Sequence, residues 1–184
     1  MDGTPSADPA LSGLIKECLM TTIPKHNQFL GLVAWLVISF LAAGIGSMAS
    51  INAEAFYTQL VLPRWAPPSA VFGPVWTVLY TLMGIAAWLA WRVGGFGAAR
   101  TALTLFLLQL AVNALWSWLF FGWHLGTLSF AFILLLWVLI AATIITLWRV
   151  RPLAGVLLVP YLLWVSFASA LNYAIRQLNP HLLD

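Results

Sequence analysis

The sequence predicts an all-α, polytopic membrane protein, a bundle of five transmembrane helices, and three observations carry that prediction. Hydrophobic residues make up 62% of the 184 residues and charged residues only 7%, where a soluble domain carries about 25% charged. Mean hydropathy is correspondingly high, +0.97. Five apolar runs, at about 29–50, 72–92, 101–121, 127–148 and 153–175, each reach the roughly 20 residues a helix needs to cross hydrocarbon. Finally, no run holds Asp, Glu or Lys in its interior, and Arg92, Arg100, Arg149, Arg151 and Arg176 all stand at run ends.

That charge pattern also excludes functions. Proton pumps and voltage sensors place ionisable groups inside the membrane, so neither fits. The formal charge of +3 comes from scattered loop residues with no basic stripe, which argues against a nucleic-acid partner. A single cysteine, Cys18, excludes an intrachain disulfide and a paired-cysteine metal site. The eleven tryptophans lie mostly near the ends of apolar runs, where an amphipathic indole favours the headgroup layer.

Taken in order, residues 1–27 form a polar N-terminal extension. Leu11, Leu14, Ile15, Cys18 and Leu19 recur there at helical spacing, which suits a short interfacial helix or a mere tail. The leading acidic residues and the absence of a suitable apolar core argue against a cleaved signal peptide. Residues 28–179 form the five-helix domain. Its first helix carries a small-residue stripe, Ser39, Ala42, Ala43, Gly46 and Ser50, which lets a neighbouring backbone approach closely. The longest connection, 51–71, is expected to begin with a short helix capped by Asn52 and ending near Leu60. Short connections at 94–100, 122–126 and 149–152 make consecutive spans antiparallel neighbours. Residues 180–184 are read as a short tail. No internal repeat of the kind found in many secondary transporters is visible.

The stretch 63–80, PRWAPPSAVFGPVWTVLY, organises the rest. Pro63, Pro67 and Pro68 forbid a continuous helix, and Gly73-Pro74 then opens the second span. A rigid, tryptophan-bearing loop running into a membrane helix suits a lid over a buried site. It equally suits an interfacial connector anchored by Trp65 and Trp76. Counting flanking cations, Lys16, Lys25, Arg92, Arg100, Arg149 and Arg151 fall on one side and Arg64 and Arg176 on the other. The positive-inside rule then places the N-terminus in the cytoplasm and the lid outside, in a bacterial inner membrane.

Polar and aromatic residues of three helices converge beneath that loop. Trp76, Tyr80 and Met83 share a face of the second span; Gln109, Asn113, Trp116 and Ser117 share one on the third; Trp164, Ala168 and Asn172 stack at four-residue steps on the fifth. At about 1.5 Å per residue, most reach one depth in the lid-side half of the bilayer. Such a set describes an apolar, aromatic-lined ligand cavity with a few orienting polar groups. Interhelical hydrogen bonding alone is the competing account of Gln109 and Asn113. Pro160 is placed to kink the fifth helix. No serine–histidine–acid set and no metal-ligand spacing occurs, and His124 in its GWHLG turn is a solvated loop residue rather than a haem ligand. Leu171, Tyr173 and Arg176 match a weak pattern proposed for sterol contact.

Three blocks, PRWAPPSAVFGPVWTVLY (63–80), QLAVNALWSWLFFG (109–122) and VPYLLWVSFASALNYAIRQLN (159–179), together with the five-span layout, resemble the translocator protein family. Its members are also called tryptophan-rich sensory proteins or peripheral-type benzodiazepine receptors. The likeness covers about 30–179. It implies a homodimeric five-helix bundle that binds porphyrins, protoporphyrin IX among them, and sterol-like lipids beneath the first loop, with no cofactor required. It also implies a role in tetrapyrrole regulation and stress response. By motif position the resemblance implies that Trp76, Asn113 and Trp164 line the pocket, with Ala168 at its small-residue wall, and that Tyr173 and Arg176 fall on the family's sterol motif; the convergence read from spacing adds Trp65, Tyr80, Gln109, Trp116 and Asn172 as ligand-binding candidates and Leu171 to the sterol pattern. Some bacterial relatives are linked to light-dependent porphyrin breakdown, in which Trp164 would be the participating indole. Several of those relatives carry Trp-Tyr where this chain has Phe56-Tyr57, so breakdown is expected to be slow or absent. A membrane scaffold is the remaining alternative.

Overall fold

The computed structural model describes residues 25–51 and 53–183, with the side chains of Lys25, His26 and Glu54 left aside. The amphipathic stretch 11–19, Cys18 and the Asn52 cap therefore lie outside the described residues. Among the described residues every regular element is helical: α1 (Lys25–Ala49), α2 (Ala53–Gln59), α3 (Phe72–Trp91), α4 (Gly95–Ser117), α5 (Gly126–Val150), α6 (Pro152–Leu157), α7 (Val159–Leu178) and α8 (Pro180–Leu183). A 3₁₀ turn (Ser69–Val71) leads into α3 and a π turn (Trp118–Gly122) continues α4.

Five segments are long and apolar enough to span a bilayer: Asn27–Ala49, Ser69–Trp91, Gly95–Gly122, Gly126–Val150 and Pro152–Leu178. They match the five runs read from the sequence, and most reach further than hydropathy indicated. The largest gain is at α4, which begins at Gly95 where 94–100 reads as a loop. Gly94 and Gly95, at φ 155° and 64°, turn the chain sharply, and helix starts at once with a kink at Ala99. A polar, arginine-bearing turn of helix outside the hydrocarbon costs nothing, so hydropathy ends sooner than the helix does.

Close backbone approaches link α1 with α3 and α4, α4 with α3 and α5, α6 with α3 and α5, and α7 with α5 and α6. Two glycines permit the tightest of these. A Cβ on Gly84 would stand 3.1 Å from the Leu36 Cα, and one on Gly46 would stand 3.2 Å from the Ser117 Oγ. The small-residue stripe of α1 thus works as expected at Gly46, which brings α1 against α4. The centre is filled by Met83, Leu103, Phe106, Ile133, Leu136, Ile140 and Tyr161, all essentially inaccessible.

The fifth span is not one rod. It breaks at Leu158, and Pro160, which has no amide proton, occupies the first turn of α7. The expected kink is thus present, as one turn residue, Leu158 at φ −90° and ψ −9°, between α6 and α7. Its consequence is lateral: α6 stays against α3, while the helix backbones of α3 and α7 separate on the lid side.

The residues read as a tail, 180–184, form a docked turn up to Leu183. Leu183 is buried against Gly126, whose missing Cβ leaves the room: a methyl there would lie 2.7 Å from the Leu183 carbonyl oxygen.

Candidate functional site: an aromatic cavity beneath the lid

The lid is held by specific hydrogen bonds. Asn179, at the end of α7, accepts from the Val61 amide at 2.8 Å and donates to the Val61 carbonyl at 2.9 Å, so one side chain pairs with a backbone unit as a β-strand would. The same amide nitrogen also donates to the Ile175 carbonyl at 2.8 Å. The Tyr57 hydroxyl donates to the Pro67 carbonyl at 3.2 Å and closes the loop on itself. Burial raises the Tyr57 phenol above its ordinary pKa and keeps it a donor. The Phe72 ring meets Tyr57 edge-on, with centroids 5.9 Å apart.

At the α4–α5 turn the π segment carries one extra residue in its turn, with the Trp123 amide donating to the Trp118 carbonyl at 2.8 Å. That register shift sets Phe120 against Phe56 of the lid helix, edge-on at 6.1 Å, and leaves Phe121 facing inward. His124, at φ 57°, stacks on Phe56 with centroids 4.1 Å apart. As read from the sequence, it is exposed. Among the described residues no group of three His, Cys, Asp or Glu side chains is arranged to hold a metal.

Beneath the lid lies a cavity of about 710 Å³. Trp76, Tyr80 and Phe72 of α3 form one wall, Asn113, Trp116 and Ser117 of α4 another, and Trp164 and Ala168 of α7 a third. Tyr57, Ser69 and Ala70 of the lid segment form the roof. The fourth wall is α1, through Phe40, Ala43 and Gly46, with Ser50 just past its end. Its small side chains permit close helix contact and also leave space. The aromatic walls brace one another: Trp76 lies tilted on Tyr80 at 5.6 Å and edge-on to Tyr161 at 6.1 Å, and Phe72 meets Trp164 edge-on at 5.9 Å.

Among the described residues Asn113 is the one side-chain amide in the lining. Its Nδ2 donates to the Tyr161 hydroxyl at 2.8 Å, which fixes the side chain's orientation, and its other polar atom has no protein partner among the described residues. Among the described residues the lining includes no carboxylate, imidazole or thiol. These residues can hold and orient a flat, largely apolar molecule, and they offer no conventional acid–base pair.

Six residues singled out in the sequence, Trp76, Tyr80, Asn113, Trp116, Trp164 and Ala168, thus come together on one cavity. Three others do not border it. Gln109 is fully buried one turn deeper, its Nε2 3.8 Å from the Met83 sulfur and its Oε1 without a protein partner. Asn172 donates to the Ser129 hydroxyl at 3.2 Å and ties α7 to α5. Both behave as interhelical ties, because at these depths α4 and α7 already close on neighbouring helices. Trp65 sits half-exposed on the lid, edge-on to Phe167 at 5.8 Å, as an interfacial anchor does. Within the sterol pattern, Leu171 is buried while Tyr173 is exposed against Phe130, so the three positions do not share a lipid-facing surface. Phe56 is likewise absent from the lining; the neighbouring Tyr57 lines it instead.

Sequence reading missed the α1 wall, Tyr57 and Asn179. Phe40 and Tyr57 carried usable signals, an aromatic beside small residues and a phenol in a loop rich in proline carbonyls. Asn179 carried none, because its partner is a backbone unit 118 residues earlier.

A five-span helical bundle with an aromatic-lined cavity under a tethered loop defines a polytopic membrane protein. Residues 32–178 match the model of the TspO/MBR family, and the chain belongs to that family. It is 46% identical over 132 residues to the tryptophan-rich protein TspO of Chlorobaculum tepidum, covering 70% of this chain and 82% of that one. It is 38% identical over 148 residues to the tryptophan-rich sensory protein of Cereibacter sphaeroides, with 78% and 91% covered. Against the human translocator protein it is 41% identical over 126 residues, with 67% and 75% covered.

Proposed function

We propose that the cavity beneath the lid binds porphyrins, protoporphyrin IX foremost, and that the protein is a membrane receptor or carrier linked to tetrapyrrole regulation and the stress response. The observation that carries this reading is the lining itself: Trp76, Tyr80 and Trp164 border a space into which Asn113 brings an orientated amide. A volume of about 710 Å³ falls within the roughly 300–1,000 Å³ typical of small-molecule sites. Flat aromatic walls favour a flat conjugated ring, and the free end of the Asn113 amide suits a polar atom on its edge. Sterol-like lipids are secondary ligands in this reading. They have less support, because only Tyr173 and Arg176 of the three motif residues lie toward the outer side of α7. The protein works as a homodimer in a bacterial inner membrane, N-terminus inside, as the flanking charges favour.

The test is a titration of purified protein with protoporphyrin IX in darkness, followed by tryptophan fluorescence. Saturable quenching is expected. Trp76→Leu or Asn113→Leu should weaken affinity by about 5- to 13-fold, the equivalent of one aromatic contact or hydrogen bond of roughly 1–1.5 kcal/mol. Trp148→Leu, at a half-exposed site remote from the lining, should leave affinity unchanged. Equal losses from all three would mean that porphyrin merely partitions into detergent or bilayer.

A further inference from the structure

Most hydroxyl protons around the cavity are already engaged. Ser47, Ser50, Ser117 and Thr77, all in the lining, donate to backbone carbonyls three or four residues earlier: Gly44 at 2.8 Å, Gly46 at 3.4 Å, Asn113 at 3.5 Å and Gly73 at 2.9 Å. A hydroxyl whose one proton is taken can only accept from a ligand. Three of these oxygens gather in one corner, because Ser47 and Ser50 flank the close approach of Gly46 to Ser117. The polar protons left without a protein acceptor among the described residues belong to Ser69, Tyr80, Trp76 and Trp164, on the lid, α3 and α7.

Asn113 stands one turn from Ser117 and differs from the hydroxyls, because an amide has a donor end and an acceptor end. Tyr161 decides which end meets the cavity. Its hydroxyl takes a proton from the Asn113 Nδ2 at 2.8 Å, which leaves the Oδ1 as the free end. That oxygen has no protein partner among the described residues, and it is not sealed off as the Gln109 Oε1 is. Tyr161 is itself only 1% exposed and is no part of the lining. The turn at Leu158 sets it in the first turn of α7, where its ring also backs Trp76 edge-on at 6.1 Å.

We propose that the corner between α1 and α4 is a hydrogen-bond-accepting subsite, and that Tyr161 is the positioning residue that completes it by turning the Asn113 carbonyl inward. The subsite takes a flat ring that carries a hydroxyl, N–H or protonated carboxyl group on its edge. It disfavours an ionised carboxylate there, since the corner offers lone pairs and, among the described residues, the lining holds no cation. This rests on the cavity being a porphyrin site. It adds which group the porphyrin edge must present and which residue selects it.

The experiment compares two uncharged probes with one carbon frame: the diol obtained by reducing both propionates of protoporphyrin IX, and its dimethyl ether. Each is titrated in darkness into protein in nanodiscs, with tryptophan quenching as readout and partition into empty nanodiscs subtracted. The unmodified protein should bind the donor-bearing diol about 5- to 13-fold more tightly, the worth of one hydrogen bond. Tyr161→Phe keeps the ring against Trp76 and frees the amide to turn its Nδ2 to an ether oxygen. The ether should then bind more tightly than it does to the unmodified protein, and the preference should shrink to within about twofold. In an Asn113→Leu background the same substitution should change neither affinity. Equal affinities in the unmodified protein would overturn the subsite. Equal losses for both probes in Tyr161→Phe would overturn the positioning role and leave a structural one. If neither probe quenches saturably, the porphyrin reading fails on its own, and the ligand-free protein decides. The Raman difference between unmodified protein and Tyr161→Phe isolates one of the four tyrosines. Its Fermi doublet should show a phenol that accepts a hydrogen bond, a pattern lost in the Asn113→Leu background. A donor pattern would mean that the amide stands the other way round, and would overturn the proposal.

Discussion

Asn179→Ala isolates what holds the lid. The wild-type amide makes three bonds of 2.8–2.9 Å, two of them to the Val61 backbone and one to the Ile175 carbonyl of its own helix. Only the first two tether the loop. A net hydrogen bond contributes about 0.5–1.5 kcal/mol, and Val61 is exposed enough for water to replace the lost partners, so the tether amounts to roughly 1–3 kcal/mol. That converts to a rise of about 5- to 150-fold in the opening constant of the loop. Hydrogen exchange by mass spectrometry, in nanodiscs, should show peptides spanning 60–66 exchanging faster by that factor. Peptides from α5, whose core residues Ile133, Leu136 and Ile140 are sealed, should not change. Asn179→Asp separates the two bonds: a carboxylate still accepts from the Val61 amide but cannot donate to its carbonyl, so about half the effect should return. Lid exchange that is unaltered in Asn179→Ala would refute the tether. Equal acceleration in α5 would show that the residue stabilises the whole bundle instead.

Three further outcomes are expected. Tyr57 has a raised pKa, so its donor bond to Pro67 is fully present below about pH 10, the ordinary phenol value, and is lost as pH rises through the folded value; Tyr57→Phe should abolish that alkaline loosening of the lid, again read by exchange. In intact cells Cys18, the only thiol, should resist an impermeant maleimide while His181→Cys in a Cys18→Ser background reacts; the reverse would invert the topology. Under illumination with oxygen, Trp164→Phe should slow the loss of porphyrin absorbance by several-fold, and Phe56→Trp should leave it unchanged because Phe56 faces Phe120 and His124 rather than the cavity. Rapid conversion in darkness would point to chemistry that this lining does not contain.

The sequence by itself determined the class, the number of spans and half the cavity. Hydropathy suffices for the spans, since backbone groups in hydrocarbon must be satisfied within the helix and apolar length is then the whole signal. Helical periodicity suffices for Trp76 with Tyr80, for Asn113 with Trp116 and for Trp164 with Ala168, because each pair is set by one helix's own geometry. Only the tertiary structure decided which faces meet. Gln109 and Asn113 share a face by spacing, yet one is sealed against Met83 and the other opens on the cavity. One turn of depth separates them, and the cavity beneath the lid begins at that turn. The Asn179 clasp on Val61 likewise depends on the distance between segments remote in the chain. Local periodicity holds no information about such distances, because they follow from how the five spans pack as a set.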